Sequence, residues 1–380
     1  MKREQHMISI IIPVHNAGKT LRNAAGSVAA QSILRLREDV QLELILVDDG
    51  STDESGELCD SYLSWNENEG SVRVKVIHME DEGVSEARNR GLDAASGDLI
   101  TFLDADDALD SEMLERLWDL HEETGAKICG CGFASVMPEE AAEYGEQLLY
   151  EKANEDSKRE REAASERVSG KASVKVQKKE PVILSGTDIV KDGILQGDTR
   201  VWSKLFTKEV IGEKRFLKGL SIGEDMLFVI SLIGENTSYA AISDALYRYT
   251  VNPKGAMERP FTLSYMDQLR CYEEAERVIK RNLPQLCQDP VARARLRRLQ
   301  VIADVLTAMK MARLPQKELK QYGKEFYQCR MLLRRHLKEP GIASVIPKDY
   351  RLKSFMLIYL PTVFKALVRA KETLIKSAFP

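Results

Sequence analysis

The chain has little cysteine, no long apolar run and no surplus of basic charge. Its 380 residues include six cysteines, and only Cys129 and Cys131 lie close together, as C-G-C within an apolar stretch. That is neither a zinc-ligand spacing nor a disulfide framework, so reduced, buried thiols in a cytosolic protein are expected. No segment reaches the roughly 20 apolar residues needed to span a bilayer. The start, MKREQHMISIIIPVHN, imitates a leader only briefly, because Pro13, His15 and Asn16 break its apolar run. A net charge of -4 argues against general nucleic-acid binding. A Gly-rich phosphate loop, a nucleophile motif and internal repeats are also missing. What remains is 43% hydrophobic and 30% charged, the balance of a globular chain long enough for one large or two moderate domains.

The first third alternates. Apolar runs at 7–14, 42–48, 72–78, 99–104 and 127–133 read as strands. Helical patterns fall between them, near 18–31, from a capping box of Ser51 and Glu54 to Leu63, at 84–96 with Gly97 closing, and from Asp110 to Glu123. Strands alternating with crossover helices make a mostly parallel α/β sheet flanked by helices. Ligands of such sheets bind at the carboxyl ends of the strands. Here three strands exit into PVHN, DDGSTD and DADD, which brings polar groups to one edge. Between 137 and 181 the pattern gives way to a charged, solvated insertion. Order resumes at PVILSGTDIV, where Ser185 or Thr187 would cap a helix, and 261–380 is mainly helical with basic faces such as ARARLRRLQ. The expected division is a domain over 1–260 and a helical region over 261–380.

The run LITFLDADDALD, residues 99–110, ends in Asp104, Asp106 and Asp107. Neighbouring carboxylates cost free energy unless a cation or hydrogen-bond donors compensate. A D-x-D on a short turn suits Mg²⁺ or Mn²⁺, hard ions that take oxygen ligands and keep positions open for phosphates. The plainer alternative is a cap on the next helix. Asp48 and Asp49 sit where a carboxylate could accept from a base N–H or a ribose hydroxyl, although a turn with Gly50, Ser51 and Asp53 would explain the same residues. Arg88, Asn89 and Arg90 open a helix where a diphosphate would find an arginine and backbone N–H groups. They would equally form an exposed basic turn paired with Glu86 or Asp93.

The segments IIIPVHN, ILVDDGSTDES, GVSEARNRGLDAASGDLITFLDADD, VWSKLF and IGEDMLF occur in this order. Over about 7–135 and 182–250 they resemble a family 2 glycosyltransferase with the GT-A fold. The resemblance implies a Rossmann-like nucleotide-sugar domain and a nucleoside diphosphate sugar donor, most often a UDP-sugar, with Mg²⁺ or Mn²⁺ at the diphosphate. Pro13, His15 and Asn16 would line the nucleotide, and His15 stands where the family commonly has tyrosine. Asp48 would contact the uracil, Arg88 or Asn89 would lie near the base and phosphates, and Asp104 with Asp106 would form the metal and ribose pair. An inverting transfer needs a carboxylate to take the acceptor hydroxyl's proton. Asp225, in the family's E-D pair with Glu224, is the expected base, and adjacent half-buried carboxylates would push one pKa upward. The alternative for that pair is a helix start favouring acidic residues. Trp202 and Lys204 match the acceptor-side wall, although Trp202 suits core packing equally well. YRYTVNPKGAM, 247–257, matches a late loop near the diphosphate, with Gly255 where the family often has serine.

Residues 351–376 join an apolar run to six basic residues and the single acid Glu372, with Pro361 as a kink. They would lie on a membrane surface, or else form a final packed helix or a dimer seam. The expected protein is therefore a metal-dependent hexosyltransferase of cell-surface polysaccharide synthesis with a glycan or lipid-linked acceptor. It would be cytoplasmic and peripheral on the inner face of the cell membrane. A catalytically weak nucleotide- or partner-binding homologue is one alternative, and a metal-dependent nucleotidyltransferase or phosphatase is another.

Overall fold

The computed structural model describes residues 5–68, 72–138, 140, 180–252 and 259–378. Most of the charged insertion and residues 253–258 of the late loop, Gly255 among them, lie outside these. The chain divides into two compact units. The first comprises Met1–Ser185, Arg200–Gly219 and Thr237–Pro253; the second comprises Gly186–Thr199, Leu220–Asn236 and Lys254–Pro380. The chain thus enters the second unit twice before residue 254, and Glu224 and Asp225 belong to that unit.

The first unit holds a nine-stranded sheet. Its strands are β1 (His6–Val14), β2 (Val40–Asp49), β3 (Val72–Met79), β4 (Leu99–Phe102), β5 (Ala108–Leu109), β6 (Ile128–Val136), β7 (Val182–Ser185), β8 (Lys204–Thr207) and β9 (Ser238–Thr250). Their order is β3-β2-β1-β4-β8-β6-β9-β5, with β7 beside β9. The long ladders, β1 with β2, β2 with β3 and β6 with β9, are parallel, as is β1 with β4. Short antiparallel ladders join β8 to β4 and β6, and β5 and β7 to β9. Ile8 through Ile12 are all buried, as a strand covered on both faces requires.

Two glycines set how closely the layers approach. A Cβ on Gly91, in the helix Val84–Ala94, would lie 2.3 Å from Ile11 Cγ2 on β1. Gly97 does not close that helix, which ends at Ala94. Its N–H donates to Ser9 Oγ at 2.9 Å, and a Cβ there would lie 2.7 Å from the Met7 carbonyl. The expected capping box does not form either. The helix begins at Ser55, and Ser51 Oγ instead accepts from Asn16 N–H. Ser185 ends β7, and the turn Ile189–Gly193 starts without a side-chain cap.

The second unit packs the helices Tyr265–Asn282, Pro290–Arg313, Gly323–His336, Lys348–Tyr359 and Pro361–Ala378 around Val301, Val305, Met311, Leu333, Leu357 and Phe364. Asp289 starts the longest of them, accepting from Val291 and Ala292 N–H before Pro290 at the first helical position. The basic face within ARARLRRLQ is largely neutralised inside the unit, Arg293 by Glu339, Arg295 by Asp192 and Arg297 by Glu276. All six cysteines are free thiols and four are buried; burial pushes Cys59 and Cys129 up to about 12. Among the described residues no helix is long and apolar enough to cross a membrane.

Candidate active site

The parallel register sets Val14 beside Asp48 and Asp48 beside His78, so β1, β2 and β3 finish together. Pro13 lies half-buried in β1, and His15 and Asn16 follow it, exposed. Asn16 has φ +52°, in the left-handed region that asparagine tolerates better than most side chains. Its Oδ1 accepts from Thr52 N–H at 2.8 Å. His15 Nδ1 faces the Asp49 carbonyl at 2.7 Å and must donate, which leaves Nε2 to accept from Asn16 Nδ2 at 2.9 Å. The imidazole ring is thereby fixed at the sheet edge.

Asp48 is buried and accepts from Ser51 N–H at 3.1 Å and from His78 Nδ1 at 2.9 Å. Burial alone would raise its carboxyl, but Ser51 and His78 outweigh that and hold it below the usual range. His78 Nε2 faces Asp60 at 3.0 Å, so both ring nitrogens meet carboxylates, and Asp60 first and Asp48 second raise its pKa. Asp49 accepts from Glu82 and Gly83 N–H at 2.8 and 2.9 Å, ordering the turn before the helix Val84–Ala94.

The acidic loop after β4 sorts its three carboxylates into different roles. Asp107 is buried and accepts from Tyr247 Oη–H and Thr250 N–H, each at 2.7 Å. Burial, then the charges of Asp104 and Asp106, push it well above the usual carboxylate range. Asp107 therefore holds the loop rather than presenting a ligand. Asp104 is partly exposed, accepts from Arg88 Nη2 at 2.9 Å and donates its backbone N–H to Tyr247 Oη at 3.3 Å. Asp106 has Asn252 Nδ2 at 3.5 Å, and burial, then the Asp104 charge, raises its pKa. Asp104 and Asp106 thus remain as adjacent oxygen donors under mutual repulsion, a donor set that fits Mg²⁺ or Mn²⁺. Among the described residues His15, Asp49 and Asp81 also bring one ligand atom each within 4.8 Å of one another. There, His15 Nδ1 and the Asp49 carboxylate are already engaged by the loops.

The basic segment divides. Arg88 is buried with its guanidinium over the Phe216 ring, whereas Arg90 is exposed and pairs with Glu86 at 3.5 Å. Asn89 is a clamp, its Nδ2 donating to the Phe216 carbonyl and its Oδ1 accepting Phe216 N–H at 2.8 Å. Trp202 is 6% exposed and stacks on Tyr247 at 4.2 Å, with Tyr249 on a nearly parallel plane, so its face belongs to the core. Lys204 is 1% exposed and donates to the Arg200 carbonyl at 2.8 Å. Neither side chain is open to an acceptor here.

In the second unit, Glu224 and Asp225 form the half-buried first turn of the helix Glu224–Leu232, after Gly223 at φ +90°. The acidic helix start and the catalytic reading fit this position equally. No motif in the sequence marks His78 or Phe216 as partners of the site, and Tyr247 enters only as the first residue of YRYTVNPKGAM.

An α/β sheet with acidic loops at the carboxyl ends of its strands is the arrangement in which such sheets bind ligands. The S. aureus TarS 1–349 structure in complex with UDP has this fold, with a TM-score of 0.55 at 16% identity over 97% of this chain and 91% of that one. Residues 9–171 match the family model described as Glycosyl transferase family 2. The uncharacterized glycosyltransferase EpsJ of Bacillus subtilis is 28% identical over 276 residues, 71% of this chain and 68% of EpsJ. The minor teichoic acid biosynthesis protein GgaA of the same organism is 41% identical over 115 residues, 30% of this chain and 24% of GgaA. The chain spans between 33% and 68% of the length of the first curated relatives it matches. Over residues 9–171 the chain is similar to the family 2 glycosyltransferases.

Proposed function

We propose that the protein transfers a hexose from a nucleoside diphosphate sugar, UDP-linked in the first instance, to a hydroxyl of a glycan or lipid-linked acceptor in cell-surface polymer assembly, with inversion. The observation that carries this reading is the loop of Asp104 and Asp106 beside Arg88, within the residues that match this family. The GgaA likeness supports a part in cell-surface polymer assembly, and the UDP bound by TarS supports the donor class.

In this reading Pro13, His15 and Asn16 line the nucleotide, and Asp48, kept ionised by Ser51 and His78, accepts from the base. Arg88 fixes Asp104, and Asp104 with Asp106 would hold Mg²⁺ or Mn²⁺ and the ribose side of the donor. When bound there, such an ion would offset the negative charge of the departing diphosphate. Asp225 removes the proton from the attacking hydroxyl, with Glu224 on the acceptor side. Trp202, Lys204 and Asn89 support the walls from within.

The test is sugar transfer from a panel of UDP-sugars in Mn²⁺ by wild type and Asp225→Asn. General-base loss should lower turnover by about 10²- to 10⁴-fold with UDP binding retained. An Asp225→Asn enzyme at the wild-type rate would remove Asp225 as the base. UDP binding without transfer to any acceptor would favour a nucleotide-binding homologue of low activity.

A further inference from the structure

The helices Lys348–Tyr359 and Pro361–Ala378 of the second unit carry two apolar faces where a buried packing helix needs one. The inner face holds Leu357, Ile358 and Phe364 in the core. The outer face holds Leu352, Phe355, Tyr359, Leu360, Val363 and Leu367, each between 46% and 65% exposed. The spacing 352, 355, 359 keeps three of these on one stripe of the first helix, and 363 and 367 stand four apart on the second. Of the large hydrophobic side chains exposed among the described residues, no other stretch of this length holds as many. Contiguous apolar surface of this kind marks an interaction site.

Beside the stripe lies a groove of about 790 Å³. Met331, Leu337, Ile346 and Phe355 give it apolar walls, and Arg334, Lys338 and Arg351 supply cations; Arg335 also lines it but pairs with Glu273 at 3.1 Å. The Ser354 hydroxyl, buried at the same groove, has no protein partner among the described residues. An apolar surface bordered by cations is complementary to hydrocarbon beneath anionic headgroups. It is poorly suited to a second copy, because a two-fold contact sets the same patch against itself and would oppose cation to cation. We propose that this face seats the protein on an anionic lipid surface, with the two helices lying along the bilayer rather than across it.

The structure also reassigns the cations. Lys365 sits over the Phe326 ring, Arg369 donates to the Ala312 and Leu314 carbonyls, and Lys353 pairs with Asp349. Those three serve the fold. The lipid-facing charge comes from Arg351 and, across the groove, from Arg334 and Lys338.

The experiment is co-sedimentation of the full chain with vesicles of phosphatidylcholine alone and of phosphatidylcholine with an equal part of phosphatidylglycerol. It needs neither donor nor metal, so its failure is separate from failure of the transferase reading. Binding should require the anionic lipid and weaken with salt. Arg334→Gln with Arg351→Gln should bind about thirtyfold less, roughly fivefold for each cation at an anionic surface. Phe355→Ser with Leu367→Ser should lose binding while unfolding at the wild-type temperature, since both side chains lie outside the core. Equal binding to both vesicles, or none to either, would overturn the proposal. So would a dimer in light scattering that Phe355→Ser dissociates, which would show that a second copy covers the face.

Discussion

Arg88 donates from Nη2 to Asp104 Oδ1 across 2.9 Å, with its guanidinium over the Phe216 ring. The arginine is buried and the aspartate partly exposed, so the pair holds the acidic loop in place without screening it fully. Arg88→Met should lower the unfolding free energy by about 2–4 kcal/mol, toward the range for breaking a buried pair, as measured by urea denaturation. Nucleotide affinity should fall with it. Arg88→Lys should rescue little, because an ammonium cannot reproduce the planar fork over an aromatic face. An Arg88→Met protein as stable as wild type would show that the pair contributes nothing to the loop.

Tyr247 connects the other two ends of that loop, donating to Asp107 and accepting from Asp104 N–H. Tyr247→Phe leaves a buried carboxylate oxygen and a backbone N–H without these partners. Its expected cost is about 1–3 kcal/mol, again from urea denaturation, with little change in volume. A neutral result would mean that Asp107 finds another donor.

Gly97 offers a sharper steric test. Its Cβ would meet the Met7 carbonyl and Ser9 Oγ at 2.7 Å and Ser9 N at 2.8 Å, and two of these three are backbone atoms held in β1. Gly97→Ala should destabilise by about 1–3 kcal/mol through displacement of the strand edge. An unchanged urea midpoint would show that the 95–98 turn moves freely.

His78 gives a pH dependence with a definite sign. Asp60 and Asp48 raise its pKa above the ordinary 6.5. The folded state therefore binds its proton more tightly than the unfolded chain does. The resulting stability is complete below the unfolded pKa and is lost as pH rises through the folded one. Because the side chain is 47% exposed, solvent screens the effect to under about 1 kcal/mol. His78→Gln should cost more stability at about pH 6 than at about pH 9. Equal costs at both would mean that His78 is not charged in the fold. The Asp48 carboxyl works in the opposite direction. Its lowered pKa gives stability above the ordinary 3.8 that fades as pH falls through the folded value.

The parallel ladders were legible in the sequence because an Ile-rich run such as IIIPV has few uses other than a strand covered on both faces. The acidic exits could be read for the same reason: ILVDD and LITFLD leave the core abruptly. Contacts between distant segments were not legible. The Asn89 clamp on Phe216 spans 127 residues, and the Tyr247 bond to Asp107 spans 140. Ser51 and Glu54 have the spacing of a capping box, but Asn16 competes successfully for the Ser51 hydroxyl. Trp202 was ambiguous by chemistry alone, and the Tyr247 ring decides it for the core. The second apolar face on 352–367 became visible only once the helices showed which side the core takes.

The most direct measurement is thermal unfolding of wild type and Asp106→Ala with UDP, in Mn²⁺ and in EDTA. UDP at about 100 times its dissociation constant adds roughly 2.7 kcal/mol, a rise of a few degrees. Wild type should show that rise in Mn²⁺ and lose it in EDTA, and Asp106→Ala should lack it under both conditions. Stabilisation by UDP that is equal in EDTA, or that survives in Asp106→Ala, would rule out a metal-bridged donor at Asp104 and Asp106.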